Sequence, residues 1–532
     1  MYDIVIKNGT IIDGSGRPMF RADIAIKEGI IASIGDLASA QAERIIDADG
    51  QYVAPGFVDV NNHSDTYWQI FNEPGMESLV SQGVTTIIGG NSGASLAPLF
   101  SPENIRAIQK WTNVEKINFN WLSMQDFLKE TERRRIGVNF ATLVGHGTLR
   151  RGAMDDKTRT ITPDEIHAMD AMLEKALEEG AIGLSTGLAY THARGARTRE
   201  LSTLAKTAVS HQGIYATYVR DEGADVVKAV EEAILVAREA ESSLHISHLK
   251  VVGKKNWHYM DDVFHLIETA ALDEVPISFD VYPYTTTGSV LYTLLPEWIT
   301  GEGRKMMLAR LKDAGVRSTV LRDMKQNDTD YSQITISSSH LNKMLSRRKI
   351  SEIALLQGKT PEETVLDFLI ASEGQAIVSF EALSEKNVLK SIQHPFSIIS
   401  SNGVGYSTEY AKSGNLVHPR NFGTFPKVFA EYVRNQKALS WEEAVHKMTG
   451  KPAKQFQLEK RGLLQEGYFA DIVIFQPDNI ADRATIEEPY QYSTGISFVI
   501  INGQFALAND TLIPDARYGM VLRKKNKHWF GW

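Results

Sequence analysis

The chain has 532 residues, 43% of them apolar, and a net charge of −8. That length suits several domains or one large barrel with additions, and the composition excludes a disordered chain and a generally nucleic-acid-binding surface. There is no cysteine, which rules out disulfides, thiolate nucleophiles and cysteine-held zinc. No run approaches the roughly 18 apolar residues of a membrane span, and the start, Met1-Tyr2-Asp3-Ile4-Val5-Ile6-Lys7, lacks the basic and apolar regions of a secretory signal. A cytoplasmic protein with no membrane or nucleic-acid partner is therefore expected.

Residues 1–54 read as short strands joined by tight turns. Asp3–Lys7 and Ile11-Ile12 are split by Asn8-Gly9, and Asp23–Ile26 and Ile30–Ile34 by Lys27-Glu28-Gly29. The C-terminal end has the same style, with Ala470–Phe475 and Ser497–Gly503. One small β-domain of sandwich type, built from 1–54 and 460–532, is predicted.

The middle alternates short apolar runs with helical patterns, the signature of βα units closing into a parallel barrel. Eight strands are predicted, within the stretches Phe57–Val60, Thr85–Gly93, Val138–His146, Ala181–Gly187, Gly213–Tyr218, Leu244–His248, Ile277–Tyr282 and Phe396–Asn402. Between them lie helices such as Asp225 to Glu241, where Val226, Val227, Val230 and Ile234 recur at three and four. The fold class expected is α/β, a (β/α)8 barrel of TIM type over 55–288 and 395–459. Residues 289–394 are too long for one connection and read as an inserted α/β subdomain over the substrate end. In such a barrel the site lies at the C-terminal ends of the strands, where Asn61, His63, Ser92, Tyr218, His248 and Asn402 fall.

Several long motifs occur in one order: Gln82–Thr86, Gly90–Leu99, Gly145–Arg150, Leu184–Tyr190, Arg220–Gly223, Ile246–Lys250, Asp280–Tyr284 and His418–Pro426. On these motifs the chain resembles the N-acyl-D-amino-acid deacylases, or D-aminoacylases, of the amidohydrolase superfamily over essentially its whole length. The resemblance implies zinc held by His-x-His on strand one, a cysteine on strand two, histidines on strands five and six, and an aspartate on strand eight that shuttles the proton. At those positions this chain has Asn61, His63, Ser92, Tyr218, His248 and Asn402. Two imidazoles alone leave zinc short of ligands, so no metal cofactor, and in particular no tight zinc site, is expected.

The resemblance also implies a carboxylate-gripping set, matched by Tyr190, Lys250, Tyr284 and Arg420. Arg420 offers a planar fork for two-point carboxylate binding. His63 and His248 titrate near neutrality and suit proton transfer. Tyr218, Asn61 and Asn402 can donate hydrogen bonds to a developing oxyanion. Ser92 lacks the G-x-S-x-G elbow of a serine nucleophile and reads as a small replacement for cysteine. Three readings stay open at this point. The first is a metal-independent enzyme acting on an N-acyl amino acid or related carboxylate by hydrolysis, cyclisation, dehydration or elimination. The second is a conventional amide hydrolase with an unusual metal site. The third is a non-catalytic protein that binds a small carboxylate or a protein partner.

Overall fold

In the computed structural model, residues 1–524 are described apart from 156, 158, 302, 327–328, 340 and 342–344. The remainder of the stretches 289–394 and 460–532 assigned above lies outside the described residues. The eight predicted barrel strands are present. Phe57–Asp59, Val84–Gly89 and Asn139–Thr142 form one parallel set. Val144–Gly145, Gly183–Gly187, Ile214–Tyr218, Leu244–Ile246, Ile277–Val281 and Ser397–Ile399 form the other. Every residue of these strands is buried, as parallel strands covered on both faces require.

The third strand is broken at Leu143, whose amide donates to the Gly89 carbonyl at 3.0 Å and so carries the ladder across the break. The break brings the Leu143 carbonyl onto Gly90, where a Cβ would lie 2.0 Å from that oxygen. Gly90 has φ +70°, so both space and backbone demand glycine there. The ring closes between the first and eighth strands by a single parallel bridge, Asn62 to Gly403.

Outer helices cover the barrel with apolar stripes. Val226–Ala240 buries Val226, Ala229, Val230, Ala233, Ile234 and Ala237, a spacing of three and four. Pro163–Glu178 starts at a Thr162/Glu165 capping box with proline in its first turn.

Both chain ends meet in one sheet. Tyr2–Ile11 pairs with Phe20–Lys27 and, in parallel, with Ala42–Asp47 and Tyr52–Pro55. Tyr52–Pro55 then pairs with Ile472–Phe475, which continues through Ile496–Ile501 and Gln504–Ala508. Ile4, Ile6, Ile24, Ile26, Ile472 and Ile500 share its core. A buried polar knot ties this sheet to the barrel. Asp471 is ion-paired with Arg461 and accepts from Asn139 Nδ2 at 3.0 Å and the Asn502 amide at 2.8 Å. Asn502 in turn donates to Asn139 Oδ1 at 2.8 Å and accepts from Arg461 at 2.9 Å.

Thr286–Val290, Ile334–Ser339 and Ala376–Glu381 form an antiparallel sheet with its own core. The helix Glu385–Gln393 that follows packs back on the seventh and eighth barrel strands. No helix of the described residues is long and apolar enough to cross a membrane.

Candidate active site

A cavity of about 1260 Å³ opens at the C-terminal ends of the barrel strands, with the inserted sheet as one wall. His63, Ser92, Tyr190, Tyr218, His248, Lys250, Asn402 and Arg420 all line it. Asn61 and Tyr284 do not. Asn61 lies below the floor, fully buried, with Nδ2 3.3 Å from both oxygens of Asp280 and Oδ1 without a partner. The Tyr284 ring packs edge-on against His418, and its hydroxyl, also unpartnered, sits over Gly423.

Three of these residues stand in the left-handed backbone region just past their strands: Ser92 at φ +52°, His248 at +39° and Asn402 at +46°. Asparagine tolerates that region; serine and histidine do so at a cost that the surrounding packing must hold. Ser92 is held by close approach, because a Cβ on Gly187 would lie 2.1 Å from the Ser92 carbonyl.

His63 is 8% exposed, and its Nε2 sits 2.8 Å from Asn402 Oδ1. An amide oxygen only accepts, so the proton is on Nε2 and Nδ1 is a bare, unpartnered acceptor. Burial outweighs the Asn402 bond and pushes the His63 pKa down to about 3, so the ring is neutral.

His248 belongs to a three-membered cluster. Its Nδ1 lies 3.1 Å from Glu222 Oε1 and 2.9 Å from Lys250 Nζ, and Lys250 donates to the same carboxylate oxygen. Burial and the Lys250 charge lower the His248 pKa. Burial opposes ionisation of Glu222, but the Lys250 charge and the His248 bond prevail and hold its carboxyl below the usual range. The Tyr218 ring stands edge-on to His248 at 4.6 Å. Burial, then the Glu222 charge, raises the Tyr218 pKa well above normal, so the hydroxyl stays a proton donor.

Arg420 brings an uncommitted cation. Its Nε and Nη1 are buried without a hydrogen-bond partner, and its guanidinium lies 5.1 Å from the Tyr282 ring centroid. Its backbone is fixed by His418, which accepts from the Arg420 amide at 3.0 Å on Nδ1 and donates to the Thr286 carbonyl from Nε2.

Two site residues escaped the sequence reading. Glu222 sits inside the Arg220–Gly223 motif, whose other members are structural: Arg220 pairs with Glu232 and Asp221 caps the turn at Gly223. Lys110 reaches the cavity from a stretch without strand or regular helix, its Nζ 3.6 Å from the Tyr190 ring centroid and 4.1 Å from that of Trp111. Its only sequence signal was the adjacent tryptophan.

The sequence pattern of the amidohydrolase family matches residues 44–506. The chain belongs to that family, on its D-aminoacylase side. It is 35% identical to the D-aminoacylase of Alcaligenes xylosoxydans xylosoxydans, over 94% of each chain. The N-acyl-D-glutamate deacylase of Bordetella bronchiseptica, solved with zinc and a phosphonate mimic of the tetrahedral intermediate, superposes with a TM-score of 0.84 at 32% identity, covering 98% of this chain and 99% of that one. A D-aminoacylase described as having a binuclear metal centre superposes at 0.83, with 33% identity, 98% of this chain and all of that one.

These neighbours overturn the expectation that the protein has no metal cofactor. That expectation counted side-chain types at six separate positions. Burial keeps both remaining imidazole rings from charging readily, and neutral imidazole is the form that binds metal. The donor set at the barrel mouth still differs from the one the resemblance implied. Among the described residues, the three imidazole and carboxylate donors that come within 4.8 Å of one another are Glu174, Glu178 and His211, outside the cavity. Asn61, Ser92, Tyr218 and Asn402 do not fit the expected shell.

Proposed function

We propose that this protein is an N-acyl-D-amino-acid deacylase, hydrolysing the amide bond of a small substrate that keeps a free carboxylate. The observation that carries the reading is Arg420. A guanidinium with two buried, unpartnered N–H groups, in a cavity shared with His63, Tyr218 and His248, is arranged for a planar anion from outside. Lys250 supports the same end of the substrate, but Glu222 already takes part of its charge. The D configuration comes from the relatives, whose names give it.

The remaining residues divide the work. Tyr218 donates its hydroxyl to the substrate carbonyl, where negative charge grows as the tetrahedral intermediate forms. Glu222 fixes His248 through Nδ1, leaving Nε2 to take a proton from attacking water and return it to the leaving nitrogen. Asn402 fixes His63 with Nδ1 bare, an acceptor that aims water or the substrate N–H without becoming charged. Ser92 is a small wall residue beside them.

The test is release of free amino acid from paired D and L N-acetyl amino acids and from the methyl esters of the D compounds. It is run on protein as purified and with zinc supplied, because of the metals in the relatives. The D acids should turn over at least about 100-fold faster than their L partners and their esters. Absence of turnover on every acid, with and without zinc, refutes the reading.

A further inference from the structure

Arg420 opens the helix Arg420–Lys427, so its amide has no partner within that helix. The His418 ring supplies one. Its Nδ1 accepts that amide at 3.0 Å, while its Nε2 donates to the Thr286 carbonyl at 3.1 Å. Burial, then the Arg420 charge, pushes the His418 pKa well down, so the ring is neutral and keeps this one tautomer.

The two bonds join different parts of the fold. Thr286 is the first residue of Thr286–Val290, one edge strand of the inserted sheet. Two residues before His418, the Leu416 amide donates at 2.8 Å to the Ser337 carbonyl, on the opposite edge strand Ile334–Ser339. The segment leading into Arg420 is therefore pinned to both edge strands of that sheet. On the barrel side it is tied through Asn421, which donates from Nδ2 to the His418 carbonyl at 2.8 Å and accepts from the Val404 amide at 2.7 Å, just past Asn402. The Arg420 fork has no comparable anchor. Its Nε and Nη1 lack partners, so its aim is set by its backbone and by the Tyr282 face. A group held in that way passes any shift of its backbone on to the ligand, and a misplacement of about 1 Å can cost on the order of 10²-fold.

We propose that His418 is a positioning residue that makes the carboxylate grip of Arg420 depend on the inserted sheet. The sheet then acts on the ligand twice: it lines the cavity with Thr287, Ser289 and Ser379, and it holds the backbone of the cation that meets the carboxylate. The inference rests on the deacylase reading for the identity of that carboxylate.

Substitution separates the two ring nitrogens. In His418→Asn the amide oxygen stands where Nδ1 stands and keeps the Arg420 bond, but nothing reaches Thr286. In His418→Gln the amide nitrogen extends to where Nε2 stands and keeps the Thr286 bond. The experiment is calorimetric titration of the full-length parent and both variants with N-acetyl-D-leucine, N-acetyl-D-glutamine and the methyl ester of each. The parent should bind at least one acid more tightly than its ester. His418→Asn should lower that acid-over-ester ratio about 10-fold, and His418→Gln should keep most of it. Ester affinity should be the same in all three proteins, which reports an intact cavity. If the parent prefers the acid and His418→Asn keeps that preference, or loses no more of it than His418→Gln does, the link to the inserted sheet does not set the grip, and the deacylase reading stands without it. If the parent prefers neither acid to its ester, the grip at Arg420 fails and the proposal falls with it.

Discussion

Replacing Arg420 with methionine keeps an apolar stem and removes the charged guanidinium fork. Lys250 cannot stand in, because it is tied to Glu222 and to the carbonyl of His248. Truncating one member of a buried charged pair costs about 2–5 kcal/mol. Arg420 is only half-buried, which weakens the interaction by solvent screening and places the expected loss at about 2–3 kcal/mol, roughly 30- to 150-fold in affinity. The same change relieves an unpaired guanidinium, so the unliganded variant should melt no lower than the parent. Calorimetry with an N-acetyl-D-amino acid and its methyl ester checks both halves. The parent should prefer the acid, the variant should bind the two alike, and ester affinity should not move. Equal affinity of the parent for acid and ester, or an acid preference that survives Arg420→Met, refutes the argument.

Tyr218→Phe keeps the ring against His248 and deletes the donor; turnover should fall about 10²–10³-fold with ligand affinity and melting unchanged, and a parent-like rate would reduce Tyr218 to packing. Asp471→Ala leaves Arg461, 4% exposed, without its ion-pair partner, and should cost about 3–5 kcal/mol in urea unfolding; a loss under about 1 kcal/mol would show that the knot between sheet and barrel is not needed. Lys447 is 6% exposed, and burial lowers its pKa from 10.5 to about 8. Between pH 8 and 10.5 the unfolded chain therefore binds more protons at this residue than the folded one, so stability rises with pH across that window, by up to about 3 kcal/mol. Lys447→Met should remove that rise, and an identical pH dependence in both proteins would disprove the shift.

The strand ends were legible because short apolar runs followed at once by polar residues mark both a buried strand and the rim of a barrel. That placed His63, Ser92, Tyr218, His248 and Asn402 around one cavity. The sequence also flagged Asn61 and Tyr284, which lie at the right chain positions yet face away from the cavity. One residue past a strand end turns toward the opening and another turns under it, and only the packed neighbours decide which. Arg420 rests near Tyr282, two positions before the tyrosine the motif suggested. Glu222 was hidden because its value comes from partners at 248 and 250, a contact that no local pattern carries. Lys110 was hidden because a lysine beside a tryptophan is common, and only the fold brings Tyr190 over it. The metal expectation failed for a related reason: substitutions at single positions do not decide what a whole chain binds.

The closure of the ring has a consequence of its own. Elsewhere neighbouring barrel strands are joined by ladders of two or more residue pairs; between the first and the eighth there is one bridge. Side chains complete the join: Asp59 accepts from the Ser401 amide at 2.9 Å, and the His63 ring bonds to Asn402. The clasp of the barrel and the proton-handling end of the cavity are thus the same few atoms. Warming that loosens the clasp misaligns His63 while the rest of the barrel still holds, so catalytic competence should fade several degrees below the melting of the protein, and the amides of Asn62 and His63 should exchange with solvent ahead of those in the Ile214–Tyr218 strand.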